Sequence, residues 1–124
     1  MQDEMKKPDL ELVAQEIAAR LKQLPISRVI LFGSSASGKA EADSDVDIAV
    51  VVNEPRAFES YDQRLEAKSR IRRELLDINR GLPIDILLYT EAEYEDFRKH
   101  DGFLQMEVVE KGRTLYEAAG RELA

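Results

Sequence analysis

The chain has 124 residues, of which 44% are hydrophobic, enough for one modest core and too few for two independently stable ones. It contains no cysteine, which excludes a disulfide framework and any thiolate metal site, so a bound metal would rely on oxygen ligands or on the lone His100. A formal charge of −7 argues against long-range attraction to nucleic acid or an anionic membrane as the source of affinity, and no direct nucleic-acid binding is expected.

The amino terminus, Met1-Gln2-Asp3-Glu4, has no basic segment followed by an apolar run, and no long apolar stretch occurs anywhere, so a cytoplasmic protein without a membrane partner is expected. We read residues 1–124 as a single domain with loosely held ends of roughly eight residues each. From Asp9 to Leu24, Leu10, Val13, Ile17, Leu21 and Leu24 recur at helical spacing, and Pro25 closes that helix. Residues 28–32 are β-branched and apolar and end at Gly33, which predicts a buried strand; 46–52 predict a second. Between Pro55 and Gly81 lies the longest predicted helix, with Phe58, Tyr61, Leu65, Lys68, Ile71, Leu75 and Ile78 on one side and Gly81 and Pro83 as stop signals. Residues 84–89 form the third predicted strand. Thr90 and Glu93 have the spacing of a capping box that opens a helix carrying Tyr94 and Phe97, broken near Asp101-Gly102. A further helical turn runs through Val109 to Gly112, before an extended tail at 114–116.

This order predicts an α/β fold: a small mixed sheet flanked by helices. The thirteen-residue connector between the first two strands suits an antiparallel pair, and the long helix before the third permits a parallel crossover. The end of strand one and the starts of strands two and three then meet at one edge of the sheet. Alternation along strand two puts Asp45 and Asp47 on one side, about 7 Å apart along the backbone, with Val46, Ile48, Val50 and Val52 on the other. In strand three, Ile84, Ile86 and Leu88 leave Asp85 facing the opposite way, near its start. Three converging carboxylates repel one another at neutral pH and are eased by divalent cations. Gly33-Ser34 and the small residues up to Lys39 let a backbone approach a phosphate closely.

These residues resemble the minimal nucleotidyltransferases of the DNA polymerase β superfamily. The resemblance rests on Gly33-Ser34, ten residues from Ser35 to Ser44, then Asp45-Val46-Asp47, with Asp85 in Pro83-Ile84-Asp85-Ile86-Leu87-Leu88, and it extends over roughly Leu10 to Tyr116. It implies the nucleotidyltransferase fold, catalytic and metal-ligating roles for Asp45, Asp47 and Asp85, two Mg²⁺ ions with Mn²⁺ as a substitute, ATP as substrate, and a phosphate grip at Gly33, Ser34, Ser35, Gly38 and Lys39. Where many relatives carry two arginines in the loop, this chain reads Ser35 and Ser37. Small stand-alone members often act as antitoxins beside a separately encoded HEPN-type toxin, so the resemblance implies transfer of AMP to a hydroxyl of that partner, a tyrosine's in particular. The alternatives are an antitoxin that works by binding alone and, less favoured, a small-molecule nucleotidyltransferase.

A lone Asp-x-Asp is ordinarily a turn or strand-edge feature; the Gly-Ser at that spacing and the third aspartate reverse the preference. Arg64, Lys68 and Arg72, with Arg70 and Arg73 nearby, could meet nucleotide, RNA or an acidic partner, but the preferred reading is a solvated helix face. His100 reads as a surface residue favourable to a helix dipole. Tyr94, Phe97, Phe103 and Met106 read as core or partner-facing contacts, and Tyr116 as packing.

Overall fold

The computed structural model describes residues 10–33 and 45–118. Its elements follow the order α1 (Leu10–Leu21), β1 (Ile26–Phe32), β2 (Val46–Val52), α2 (Tyr61–Glu74), α3 (Leu76–Gly81), β3 (Ile84–Tyr89), α4 (Glu91–Lys99), α5 (Phe103–Gln105) running into a π-helical turn (Met106–Glu110), and β4 (Arg113–Glu117). The four strands form one mixed sheet in the order β3-β2-β1-β4. β1 pairs antiparallel with β2, and β2 pairs parallel with β3, the arrangement expected from the two connection lengths. The extended tail proves to be β4, an antiparallel edge strand on β1 with a bulge.

Both faces of the sheet are covered, by different means. On one face Val46, Ile48 and Val50 pack with Ile17 and Leu21 of α1 and with Ile71 and Leu75 at the end of α2. On the other, Ala49, Val51, Ile30 and Phe32 meet Tyr94 of α4 and Val108 of the π turn. Tyr94 and Phe97 gather round Tyr89, whose ring lies 4.9 Å from that of Phe97. A capping box at Thr90 and Glu93 starts α4, and Ser27 Oγ donates to Glu91 Oε2 at 2.7 Å, fastening the start of α4 to the start of β1.

Four local expectations are corrected. α1 stops at Leu21 rather than Leu24, because the residue before Pro25 is pushed out of helical geometry and the last turn unwinds. β1 starts two residues early: Ser27 is buried, and its hydroxyl is satisfied by Glu91. The single long helix is two, parted at Leu75 (φ −101, ψ 9), so that Asn79 Oδ1 accepts from the Ile84 N–H at 2.7 Å and sets the entry to β3. With that packing, Ile71 and Leu75 are buried while Tyr61 and Leu65 are 73% and 46% exposed. Phe103, expected as a core or partner-facing contact, is exposed and so is not core, since the break at Asp101-Gly102 interrupts the periodicity that aligned it with Tyr94 and Phe97. At the other end of the π turn a Cβ on Gly112 would overlap the Val108 carbonyl oxygen, so only glycine lets the chain turn here into β4.

Candidate active site

Register brings the site together. Phe32 of β1 pairs with Asp47 of β2, and Asp47 pairs with Asp85 of β3, so the last residue of one strand and the starts of two others lie side by side. The Val46 N–H donates to the Pro83 carbonyl at 2.9 Å, which locks that register. Asp47 shares its face with Ala49 and Val51; those two are covered by α4 and the π turn, whereas Asp47 is only half-buried and Asp45 and Asp85 are exposed. The carboxylates thus occupy the uncovered end of a face that is otherwise core.

Gly33 completes the arrangement. Its φ of +76° is the one value in the left-handed range among the described residues, which turns the chain sharply out of β1. A Cβ there would also stand 2.5 Å from Asp47 Oδ2, so the glycine makes room for the carboxylate against the strand end. That contact gives Gly33 a role in placing Asp47, beyond the phosphate turn that its sequence position suggests.

The acids perturb one another. A hydrogen bond to Asp85, reinforced by the charge of Asp85, holds the Asp45 carboxyl above the ordinary carboxylate range, with a smaller contribution from burial. Asp47 is raised chiefly by burial, then by the charges of Asp85 and Asp45. Oxygen-only ligands under mutual repulsion suit a hard divalent cation. Among the described residues, however, no group of three or more His, Cys, Asp or Glu side chains is already gathered round one point.

Ser34, Ser35, Gly38 and Lys39, the rest of the expected phosphate grip, and the chain ends lie outside the described residues. His100 sits at the end of α4 on the surface, its Nδ1 2.7 Å from the Asp96 carbonyl oxygen. Arg64 departs from the expected solvated row: its guanidinium donates to the Leu88 carbonyl and to Glu93 Oε2, both at 2.8 Å, and lies 4.8 Å from the centre of the Phe58 ring. Two positioning residues escaped the sequence reading. Asn79 could have been suspected from its place before the Gly81-Leu82-Pro83 stop, but the buried Ser27–Glu91 bond spans too many residues to show in a local pattern. A hollow of about 650 Å³ beside Ser27, Arg28 and Tyr94 lies toward the other end of β1 and is separate from the carboxylates. No helix among the described residues is long and apolar enough to cross a membrane.

Comparison with known proteins agrees with this geometry. A family profile described as "Polymerase beta, Nucleotidyltransferase" matches residues 15–120. No curated protein matches the chain. Among solved structures, one described as a toxin-antitoxin with AMP-PNP is 21% identical, with a TM-score of 0.53 over 89% of this chain and 77% of that one. A protein from Sulfolobus solfataricus, described provisionally as a nucleotidyltransferase, is 20% identical, with a TM-score of 0.54 over 87% and 79%. At these identities the likeness is one of fold.

Proposed function

The chain belongs to the Polymerase beta, Nucleotidyltransferase family, and from that premise we propose that it transfers AMP from ATP to a hydroxyl, a tyrosine's in particular, on a HEPN-type toxin, and so acts as an antitoxin. The observation that carries the reading is the row Gly33, Asp47, Asp85: strand pairing sets Asp47 beside Asp85, and Gly33 makes room for it at the end of β1. The fold shared with the toxin-antitoxin structure described with AMP-PNP favours an adenine nucleotide and a toxin partner over a small-molecule acceptor.

In this reading the acceptor oxygen attacks the α-phosphorus of ATP in line with the bond to the bridging oxygen. That bond breaks as the new P–O bond forms, and pyrophosphate leaves. Asp85 orients the hydroxyl and takes its proton. Gly33 brings backbone close to the phosphates, and Asp47, lodged against it, would hold a cation facing them. Two Mg²⁺ ions, or Mn²⁺, held by Asp45, Asp47 and Asp85 would offset the charge that develops on the phosphate oxygens.

The test is the intact mass of both chains after the protein, ATP and Mg²⁺ are incubated with the product of the adjoining gene. One or more added AMP units on the partner, absent with Asp47→Asn, is the expected result. A stable complex without any mass change would replace transfer with neutralisation by binding alone.

A further inference from the structure

The cations of this acidic protein are unevenly used. Arg20, Arg28, Arg64, Arg80, Arg98, Lys111 and Arg113 each lie within ion-pair distance of a carboxylate. Lys22, Arg56 and Lys99 have no such partner among the described residues, and neither do Lys68, Arg70, Arg72 and Arg73, which differ in being crowded into one stretch of α2 although carboxylates outnumber cations in the chain by seven. Arg70, Arg72 and Arg73 are exposed and Lys68 is partly so. Within α2, Leu65, Lys68 and Arg72 follow at helical spacing, Leu76 comes just past the break at Leu75, and both leucines are about half uncovered, Leu65 at 46% and Leu76 at 48%.

Where this face ends matters. α2 begins near the end of β2, and Arg64 reaches Leu88 late in β3; Asn79 of α3 bonds Ile84 at the start of β3. The helix therefore runs back toward the carboxylate end of the sheet. There a cleft of about 220 Å³ opens between Arg72, Leu75, Leu76, Asn79, Ile84 and Ile86. Ile84 and Ile86 flank Asp85 in sequence and face the opposite way, and β3 is an edge strand, so only that strand separates the cleft from the acids. About three extended residues would carry a chain round the edge from the cleft to Asp85.

We propose that this cleft and the cations beside it dock an acidic segment of the protein acceptor, an apolar side chain seated against Leu76 and acidic flanks on Arg72 and Arg73, so that a hydroxyl a few residues away reaches Asp85. The inference rests on the protein-acceptor reading above. Paired arginines elsewhere cannot serve a partner without breaking existing bonds, whereas Arg72 and Arg73 are free to meet carboxylates. An apolar cleft favours a polypeptide over RNA, which would need a broader basic surface than a chain of charge −7 provides.

Fluorescence anisotropy with labelled tyrosine-bearing peptides tests this: one acidic with a leucine about three residues from the tyrosine, one with that leucine replaced by serine, one with its charges inverted, and a single-stranded RNA of similar length. The acidic leucine peptide should bind, and about tenfold of its affinity should be lost on leucine replacement, in Leu76→Ser, and in the double variant Arg72→Glu, Arg73→Glu. All three altered protein residues are at least partly exposed, and circular dichroism checks that each variant keeps its fold before its affinity is read. Asp47→Asn should bind the peptide like the wild type, which separates docking from transfer: a wild type that docks the peptide but never modifies a protein sinks the transfer reading and leaves this face standing. Absence of acidic-peptide binding, indifference to the Arg72 and Arg73 changes, or tighter binding of RNA through the same arginines would overturn the proposal.

Discussion

The two faces of β2 are built from alternate residues of one strand and meet opposite fates. Val46, Ile48 and Val50 are sealed from end to end under α1 and α2. Asp47, Ala49 and Val51 start uncovered and finish as core, because α4 and the π turn shelter only the far end. One face is optimised for packing, while the other gives up packing where chemistry requires charge. The contrast teaches that the site lies where the second layer stops, and that its cost is paid in charge: Asp47 is raised by burial and then by its acidic neighbours, and Asp45 by Asp85.

The comparison can be pressed hardest on activity. Asp47→Asn should cut transfer by about a hundredfold or more, as loss of a group that stabilises developing charge commonly does, while leaving the fold intact by circular dichroism; near-normal turnover would detach the carboxylate strip from the chemistry. One position along, on the sealed face, Ile48→Ala should cost about 2–4 kcal/mol, since Ile48 is wholly buried and its cavity is walled by strands and helices. Thermal unfolding reads that loss, and a drop of only a degree or two would mean that this face is looser than described. Gly33→Ala should cost about 1–2 kcal/mol from its left-handed backbone alone. It should also reduce turnover by displacing Asp47 Oδ2, so a variant that loses stability yet keeps full activity would break the link between the two residues.

The smallest effect has the opposite sign. Asp45 and Asp47 bind their protons more tightly folded than unfolded, so in the range just above the ordinary carboxylate value the native state holds more protons. Stability therefore falls as pH rises through that window, and at neutral pH the acids burden the metal-free protein. Asp47→Asn should raise the melting temperature by about 2 °C at neutral pH, a modest figure because solvent screens a half-exposed site. The gain should vanish on acidification below the ordinary carboxylate range. Divalent cation should stabilise the wild type more than this variant.

Much of this was legible in the residues. The period-two pattern of 46–52 and 84–89 located β2 and β3 and told which face Asp47 and Asp85 would take; connector lengths gave their directions, and Thr90 with Glu93 announced α4. What escaped was set by tertiary contact. Leu65 and Leu75 look alike in a helical pattern, and only the packing of the end of α2 onto the sheet and α1 shows that one is exposed and the other buried. Arg64 could not be told from Lys68 or Arg72 until the Leu88 carbonyl and Glu93 were seen to face it. Gly33 announced a turn, but its closeness to Asp47 depends on the pairing of two strands distant in sequence.

The central claim is that the uncovered end of the β2 face is a nucleotide and metal site. Calorimetric titration with ATP, with and without Mg²⁺, tests it without any partner. Magnesium-dependent binding to the wild type that weakens at least about tenfold in Asp45→Asn, Asp47→Asn is the predicted result. Equal affinity in the two proteins, or ATP binding indifferent to Mg²⁺, would contradict it.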